Sequence, residues 1–233
     1  MSDPLPIVFV PGLLASPRLY FEQLPALWRL GPVTVADHTR DDEMAPIARR
    51  ILADAPPRFA LIGLSMGGYI AFEMLRQEPE RVLRLALLDT TARADTPEQT
   101  ENRKRQIAIA RAGRFSDIPG LIYPRLVHPS RHSDAQLQQT VRRMAEETGA
   151  EAFIRQQTAI MRRADSRPGL GAIRCPTLAL VGEQDEITPP DHAREMADAI
   201  PGARLAVIAG AGHASTLEAP EAVNEALLAA LQS

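Results

Sequence analysis

The chain has 233 residues, of which 45% are hydrophobic, a net charge of −3 and a single cysteine, Cys175. That length and apolar content suit one compact domain with room for an insertion. The small net charge and the lack of a basic run interleaved with aromatics argue against a nucleic-acid binder, one cysteine excludes a disulfide within the chain and fits a reducing cytoplasm, and no apolar run is long enough to span a bilayer.

The N-terminus, Met1-Ser2-Asp3-Pro4, has no basic region ahead of a long apolar core, so no secretory signal is expected. Leu5 to Val10 reads as a buried strand ending at Pro11-Gly12. Pro17 then opens a helix carrying Leu19, Tyr20, Leu24, Leu27 and Trp28, which Gly31-Pro32 breaks. A strand over Val33 to Ala36 leads into the polar loop His38 to Glu43. A helix follows over Met44 to Ala55, with Ile47, Ile51 and Leu52 on one face and Pro56-Pro57 as its stop. Phe59 to Ile62 is a short apolar strand, Tyr69 to Arg76 a helix, and Val82 to Leu88 another strand ending at Asp89-Thr90-Thr91.

From Arg93 to Arg167 the patterns are helical only: Pro97 to Ala112, Asp117 to Val127, Ser133 to Thr148 and Ala150 to Arg163, with Gly149 separating the last two. Strand–helix alternation resumes with Thr177 to Val181, Pro190 to Ile200, Arg204 to Ile208 and Glu218 to Leu231. The expectation is an α/β fold: a mostly parallel, doubly wound sheet of about six strands built from 1–92 and 168–233. A helical cap over 93–167 is inserted at the carboxyl edge, where such sheets bind ligands. That segment holds fourteen basic and nine acidic side chains, a surplus of five, over a body that is net −8.

Gly63-Leu64-Ser65-Met66-Gly67 joins the third strand to the helix after it. The pattern G-x-S-x-G in a strand–turn–helix context is a nucleophile elbow, a turn so tight that glycine flanks the serine. Ser65 then projects above the sheet, with the Met66 N–H at a helix N-terminus. No Gly-Lys-Ser/Thr follows, which excludes a phosphate loop. A serine nucleophile needs a base, commonly a histidine held by a carboxylate. Of the five histidines, His213 alone directly follows a strand, on the Gly-rich loop Gly210-Ala211-Gly212. Asp185 sits in the loop after Val181, and Asp89, also just past a strand, competes with it for the acid role. The chain order Ser65, Asp185, His213 is the one expected of a single common triad scaffold.

On these motifs the chain resembles the α/β-hydrolase superfamily over essentially its whole length. Gly63-Leu64-Ser65-Met66-Gly67-Gly68 is similar to the family elbow. Gly182-Glu183-Gln184-Asp185 with Pro189 resembles its acid loop, and Gly210-Ala211-Gly212-His213 with Leu217-Glu218 resembles its histidine loop. The resemblance implies hydrolysis through Ser65, Asp185 and His213 with no metal or cofactor, a cap over 93–167, and a chain starting at the family's third strand. Pro11-Gly12 stands where the family usually has His-Gly; the backbone N–H of Leu13 can still serve as an oxyanion donor beside Met66. In place of a Gly-rich loop there is Asp37-His38-Thr39-Arg40-Asp41-Asp42, read as solvated surface; a metal site of Asp37, Asp41 and Asp42 has no matching ligand spacing. Gly210-Ala211-Gly212 lacks the third glycine and the second half of a dinucleotide site. Cys175 reads as buried and structural.

The expected function is hydrolysis of a small-molecule carboxylic ester or lactone through an acyl-enzyme. C–C bond hydrolysis and acyl transfer are rivals on the same triad, and a non-catalytic ligand-binding protein is the rival from another class. Ser65 disfavours dehalogenation, which uses Asp at that position. A small-molecule substrate is the expected partner, without nucleic acid or membrane, and monomer and homodimer are equally open.

Overall fold

The computed structural model describes residues 4–232; the reading of Met1 to Asp3 as free of a leader lies outside them. Six strands form one sheet: β1 (Ile7–Val10), β2 (Val33–Val35), β3 (Phe59–Leu64), β4 (Val82–Leu88), β5 (Thr177–Gly182) and β6 (Arg204–Ile208). Their order is β2-β1-β3-β4-β5-β6 and every pairing is parallel. The register aligns the carboxyl ends: Val10 pairs with Gly63, Leu64 with Leu88, Leu88 with Leu180, and Gly182 with Ile208. Residues just past these positions therefore line one edge of the sheet.

Successive side chains of a strand point to opposite faces, so each central strand feeds two cores. Val8, Val10, Leu61, Leu85, Leu87 and Val181 pack against α2 (Met44–Asp54), α3 (Met66–Gln77) and α8 (Pro190–Ala199). Phe9, Ala60, Ile62, Leu88, Leu178 and Leu180 pack under Tyr20, Leu27 and the closing helix α10 (Pro220–Leu231). Each fully buried Leu, Ile or Phe contributes about 1.5–3 kcal/mol.

The segment from Pro17 to Leu30 departs from the single expected helix. It is a 3₁₀ turn over Pro17–Tyr20, a short α1 (Gln23–Leu27) and a second 3₁₀ turn over Trp28–Leu30. Pro25 has no N–H to give an α-helical ladder, which prevents a continuous helix through this stretch, and Trp28 ends 66% exposed rather than on a buried face.

Between β4 and β5 the described elements are all helical: α4 (Pro97–Ile109), α5 (Ile118–Leu126), α6 (Ala135–Thr148) and α7 (Ala150–Met161). Thr96 caps α4 with a complete capping box, its hydroxyl accepting from the Gln99 N–H while Gln99 returns the bond. These helices share a small core of Ala110, Ile118, Ala145 and Phe153 seated on Leu14, beside the carboxyl edge of the sheet. A short α9 (Ser215–Glu218) precedes α10. No helix of the described residues is long and apolar enough to cross a membrane.

Candidate active site

The elbow is tighter than the sequence suggests. β3 runs to Leu64 and α3 starts at Met66, leaving Ser65 alone to turn the chain. Ser65 has φ 55° and ψ −113°, a conformation costly for a residue with a Cβ. Its surroundings hold it there. The Ser65 N–H donates to the Leu88 carbonyl at 2.9 Å, and the Ser65 carbonyl accepts from the Gly68 N–H at 2.9 Å and from Thr90 Oγ1 at 2.7 Å. A Cβ on Gly67 would collide with the Val10 carbonyl, and one on Gly63 with the Gly67 carbonyl, so the strand, the turn and the helix can close only over glycine.

His213 Nε2 lies 2.8 Å from Ser65 Oγ, and its Nδ1 lies 2.8 Å from Asp185 Oδ2. With the proton on Nδ1, the ring donates to Asp185 and accepts from the serine hydroxyl. The Asp185 carboxylate divides its work. Oδ1 accepts from the Ile187 and Thr188 N–H groups at 2.8 and 2.9 Å, while Oδ2 accepts from Thr188 Oγ1 at 2.8 Å and faces the imidazole. The same aspartate thus builds its turn and orients the ring. Burial alone would raise its carboxyl, but the adjacent His213 and the Thr188 bonds outweigh that and hold it below the ordinary range. For His213 burial disfavours the charged ring, yet the Asp185 charge and hydrogen bond prevail and hold its pKa above the ordinary value.

The loop carrying His213 is tied down on three sides. Gln184 N–H donates to the Ala211 carbonyl at 2.9 Å and Ala214 N–H to the Leu126 carbonyl at 2.8 Å. Glu218 accepts from the Gly212 N–H at 2.7 Å and the His128 N–H at 2.6 Å.

Asp89, the competing acid, is fully buried and makes no bond to His213. Its Oδ1 accepts from the Gly182 N–H at 2.8 Å, and its Oδ2 shares a short hydrogen bond with Ser215 Oγ. Burial, reinforced by the neighbouring Asp185 charge, pushes its carboxyl up to about 8. A substantial neutral fraction near pH 7 then lets the contact with Ser215 run in either direction. Asp89 ties the ends of β4 and β5 to the start of α9 and leaves the ring to Asp185.

The loop after β1 carries a correction. Among the described residues the Leu13 and Met66 N–H groups are engaged by no other group. Gly12 packs against Ser65 itself, a Cβ there meeting Ser65 Cβ at 3.4 Å. Leu14 adopts φ 58°, and its N–H donates to Gln156 Oε1 of α7 at 3.1 Å. His38, read above as part of a solvated loop, is 3% exposed, its Nε2 2.9 Å from the Gly12 carbonyl and 3.0 Å from Gln156 Nε2. Protonated on Nε2, the ring donates to Gly12; protonated on Nδ1, it accepts from Gln156. His38 and Gln156 thus brace the loop where the family pattern's missing histidine would do so. The rest of the 37–42 loop turns outward: Asp37 is bonded by Thr39 and Arg40, and Asp41 by Arg50.

A family model for the alpha/beta hydrolase fold matches residues 37–220. The chain belongs to the α/β-hydrolase fold family. It is a hydrolase. A thermophilic esterase from Thermogutta terrifontis, solved with malate bound, superposes with a TM-score of 0.89 at 30% identity, over 100% of this chain and 91% of that one. A pimeloyl-[acyl-carrier protein] methyl ester esterase from Nitrosomonas europaea is 28% identical over 211 residues, 86% of this chain and 84% of that protein. An enol-lactonase from Burkholderia xenovorans LB400 has a TM-score of 0.88 at 24% identity, covering 100% of this chain and 93% of that one, a likeness of fold.

As in an α/β-hydrolase, a cleft of about 480 Å³ opens over Ser65 and His213 between the sheet edge and the helical insertion. Leu19, Leu64, Val141, Met144 and Leu217 give it apolar walls, and Gln99, Asn102, Arg103, Arg105, Gln106 and Arg125 contribute polar groups. Among the described residues no cluster of His, Cys, Asp and Glu could hold a metal ion. Cys175 is half-buried with its thiol pushed up by burial, and it stands outside this cleft. The supporting residues Thr188, Ser215, His38 and Gln156 escaped the sequence reading. The available signals were a second histidine just past a strand and two adjacent glutamines, Gln156 and Gln157, between Phe153 and Ile160 on α7, both fully buried.

Proposed function

We propose that this hydrolase cleaves a small-molecule carboxylic ester or lactone through an acyl-enzyme on Ser65. The observation that carries the reading is the unbroken chain Ser65 Oγ, His213, Asp185, each link 2.8 Å, at the floor of the cleft. In the first step His213 Nε2 takes the hydroxyl proton as Ser65 Oγ attacks the acyl carbon. The oxygen that becomes negative is received by the free N–H groups of Leu13 and Met66, the latter at the N-terminus of α3. His213 then hands its proton to the departing alkoxide. Water enters, loses a proton to the same nitrogen and attacks the acyl carbon; the bond to Ser65 Oγ breaks, and His213 returns the proton to that oxygen.

The test is Ser65→Ala against labelling by a fluorophosphonate, together with a panel of esters and lactones. The variant should fold, lose labelling and lose hydrolysis by about a millionfold; retention of either would remove Ser65 from the reaction. The panel separates ester from lactone as the preferred substrate, and labelling of the unaltered protein tests whether Ser65 is the nucleophile.

A further inference from the structure

We propose that the cleft is specialised for esters or lactones that carry a second, free carboxylate remote from the bond cleaved, and that Arg105 and Arg125 bind that carboxylate. The inference rests on the serine-hydrolase reading of the same site and adds the substrate class. Its starting point is an imbalance of charge. Three guanidinium groups line the cleft, and no Asp or Glu does.

One of the three is already committed. Arg103 donates to Asp95 through Nε at 2.6 Å and Nη2 at 3.3 Å, and to Gln157 Oε1 through Nη1 at 2.8 Å. Asp95, buried at 2% side-chain exposure, also accepts from Arg163 Nη1 at 2.6 Å. One carboxylate therefore serves two guanidiniums, and the cluster beside the cleft keeps one positive charge.

The other two are exposed and, among the described residues, form no ion pair, although Arg105 acts on the charge of Glu101. Among the described residues no carboxylate lies within ion-pair distance of Arg105 or Arg125. The acid one turn before Arg105 is Glu101, which Lys104 Nζ holds at 2.7 Å. Arg125 donates through Nη2 to the Glu186 carbonyl at 3.2 Å, a dipole that orients the side chain without cancelling its charge. Arg125 also lies close enough to act on His213, where it opposes protonation of the ring. Its charge is thus felt at the reacting end of the cleft.

The composition of α4 agrees. A helix that only roofed an apolar substrate would turn an apolar stripe to the cleft. α4 instead presents mainly polar groups, Gln99, Asn102, Arg103 and Gln106 at three- and four-residue steps, with Ile109 at its end the apolar exception, while Leu64, Val141 and Met144 lie among the apolar walls. A ligand matching both surfaces has an apolar stretch and an anionic end. Guanidinium groups are always charged and pair carboxylates through forked hydrogen bonds. Arg105 and Arg125 are both exposed, so water solvates them in the free protein, and a carboxylate reaching them at the mouth of the cleft forms a modest, salt-sensitive pair.

The experiment uses the full chain and two substrates that differ only at the far end, monomethyl adipate and methyl hexanoate. Turnover is followed at low and high salt, with fluorophosphonate labelling of Ser65 run alongside. At low salt kcat/KM for the half-ester should exceed that for the neutral ester by about threefold to tenfold, as two exposed ion pairs supply. The ratio should shrink as added salt screens the cleft. Arg105→Gln and Arg125→Gln should each reduce the ratio through KM, and together bring it close to one. Labelling with equal or better turnover of methyl hexanoate at every salt concentration would overturn this inference and leave the serine hydrolase standing. A preference that survives both substitutions would overturn the assignment to these arginines. Absence of labelling would remove the parent reading, and this one with it.

Discussion

Two buried carboxyl groups stand at neighbouring strand ends, and their hydrogen bonds separate their roles. Asp185 spends one oxygen on His213, whereas Asp89 spends both on Gly182 and Ser215. In the proposed reaction the His213 ring must be neutral to accept the serine proton, and the Asp185 charge stabilises the protonated ring. Activity should therefore rise with pH through a midpoint above the ordinary imidazole value. Asp185→Asn removes that charge and the bond that sets the tautomer. Turnover should fall by about 10⁴-fold, and the acid limb of kcat/KM should move to lower pH. Asp89→Asn keeps the shape of its site and should cost far less. A larger loss at Asp89 in pH profiles of the two variants would reverse the assignment.

The loop between β1 and the first 3₁₀ turn is shaped by an element distant in the chain. Leu14 sits at positive φ, and its N–H is held by Gln156 from the middle of α7. His38 closes the same contact from the loop after β2. Gln156→Ala leaves the Leu14 N–H without its partner and should loosen the proposed Leu13 oxyanion donor without touching Ser65, His213 or Asp185. The expected signature is a fall in kcat of about tenfold to a hundredfold, below the full loss of an oxyanion donor, with KM little moved and slower fluorophosphonate labelling. A change confined to KM would mean that α7 shapes the substrate pocket and leaves the oxyanion loop alone. Part of this was open to sequence reading. His38 also stands just past a strand, so His213 is not alone in that position, but its neighbours Asp37, Arg40, Asp41 and Asp42 mark the loop as solvent-facing, and five of its six residues match that pattern.

Across the molecule, one shared carboxylate holds the two ends of the helical insertion together where they leave the sheet. Asp95 receives Arg103 from α4 and Arg163 from the end of α7. Arg163 also donates to the Arg93 carbonyl just past β4 and stacks over the Tyr69 ring of α3 at 4.2 Å. Asp95→Asn would strand two guanidiniums, of which Arg163 is only 5% exposed. Breaking a buried pair from one side costs about 3–5 kcal/mol, and the exposure of Arg103, 17%, places the estimate at the lower end. Chemical denaturation should show that loss, and limited proteolysis should cut first between α4 and α7. Equal stability of the variant and the parent protein would make the cluster surface decoration.

The sequence by itself determined the succession of strands and helices, the serine on its glycine-flanked turn, and the order of Ser65, Asp185 and His213 along the chain. These are read from spacing, because turn chemistry and hydrophobic periodicity are set by near neighbours in the chain. It also placed the helical stretch between β4 and β5 through the loss of strand patterns there. What only the tertiary structure decided is which side chains meet. The Asp89–Ser215 bond joins residues 126 apart, and the Gln156–His38 contact joins residues 118 apart. Asp89 and Asp185 look alike in sequence, each a carboxylate just past an apolar strand. They part company because the parallel register puts Asp89 beneath the Gly182 N–H, while the turn at Ile187 and Thr188 lifts Asp185 to the imidazole. Such contacts depend on strand register and on how connections cross the sheet, which local composition does not encode.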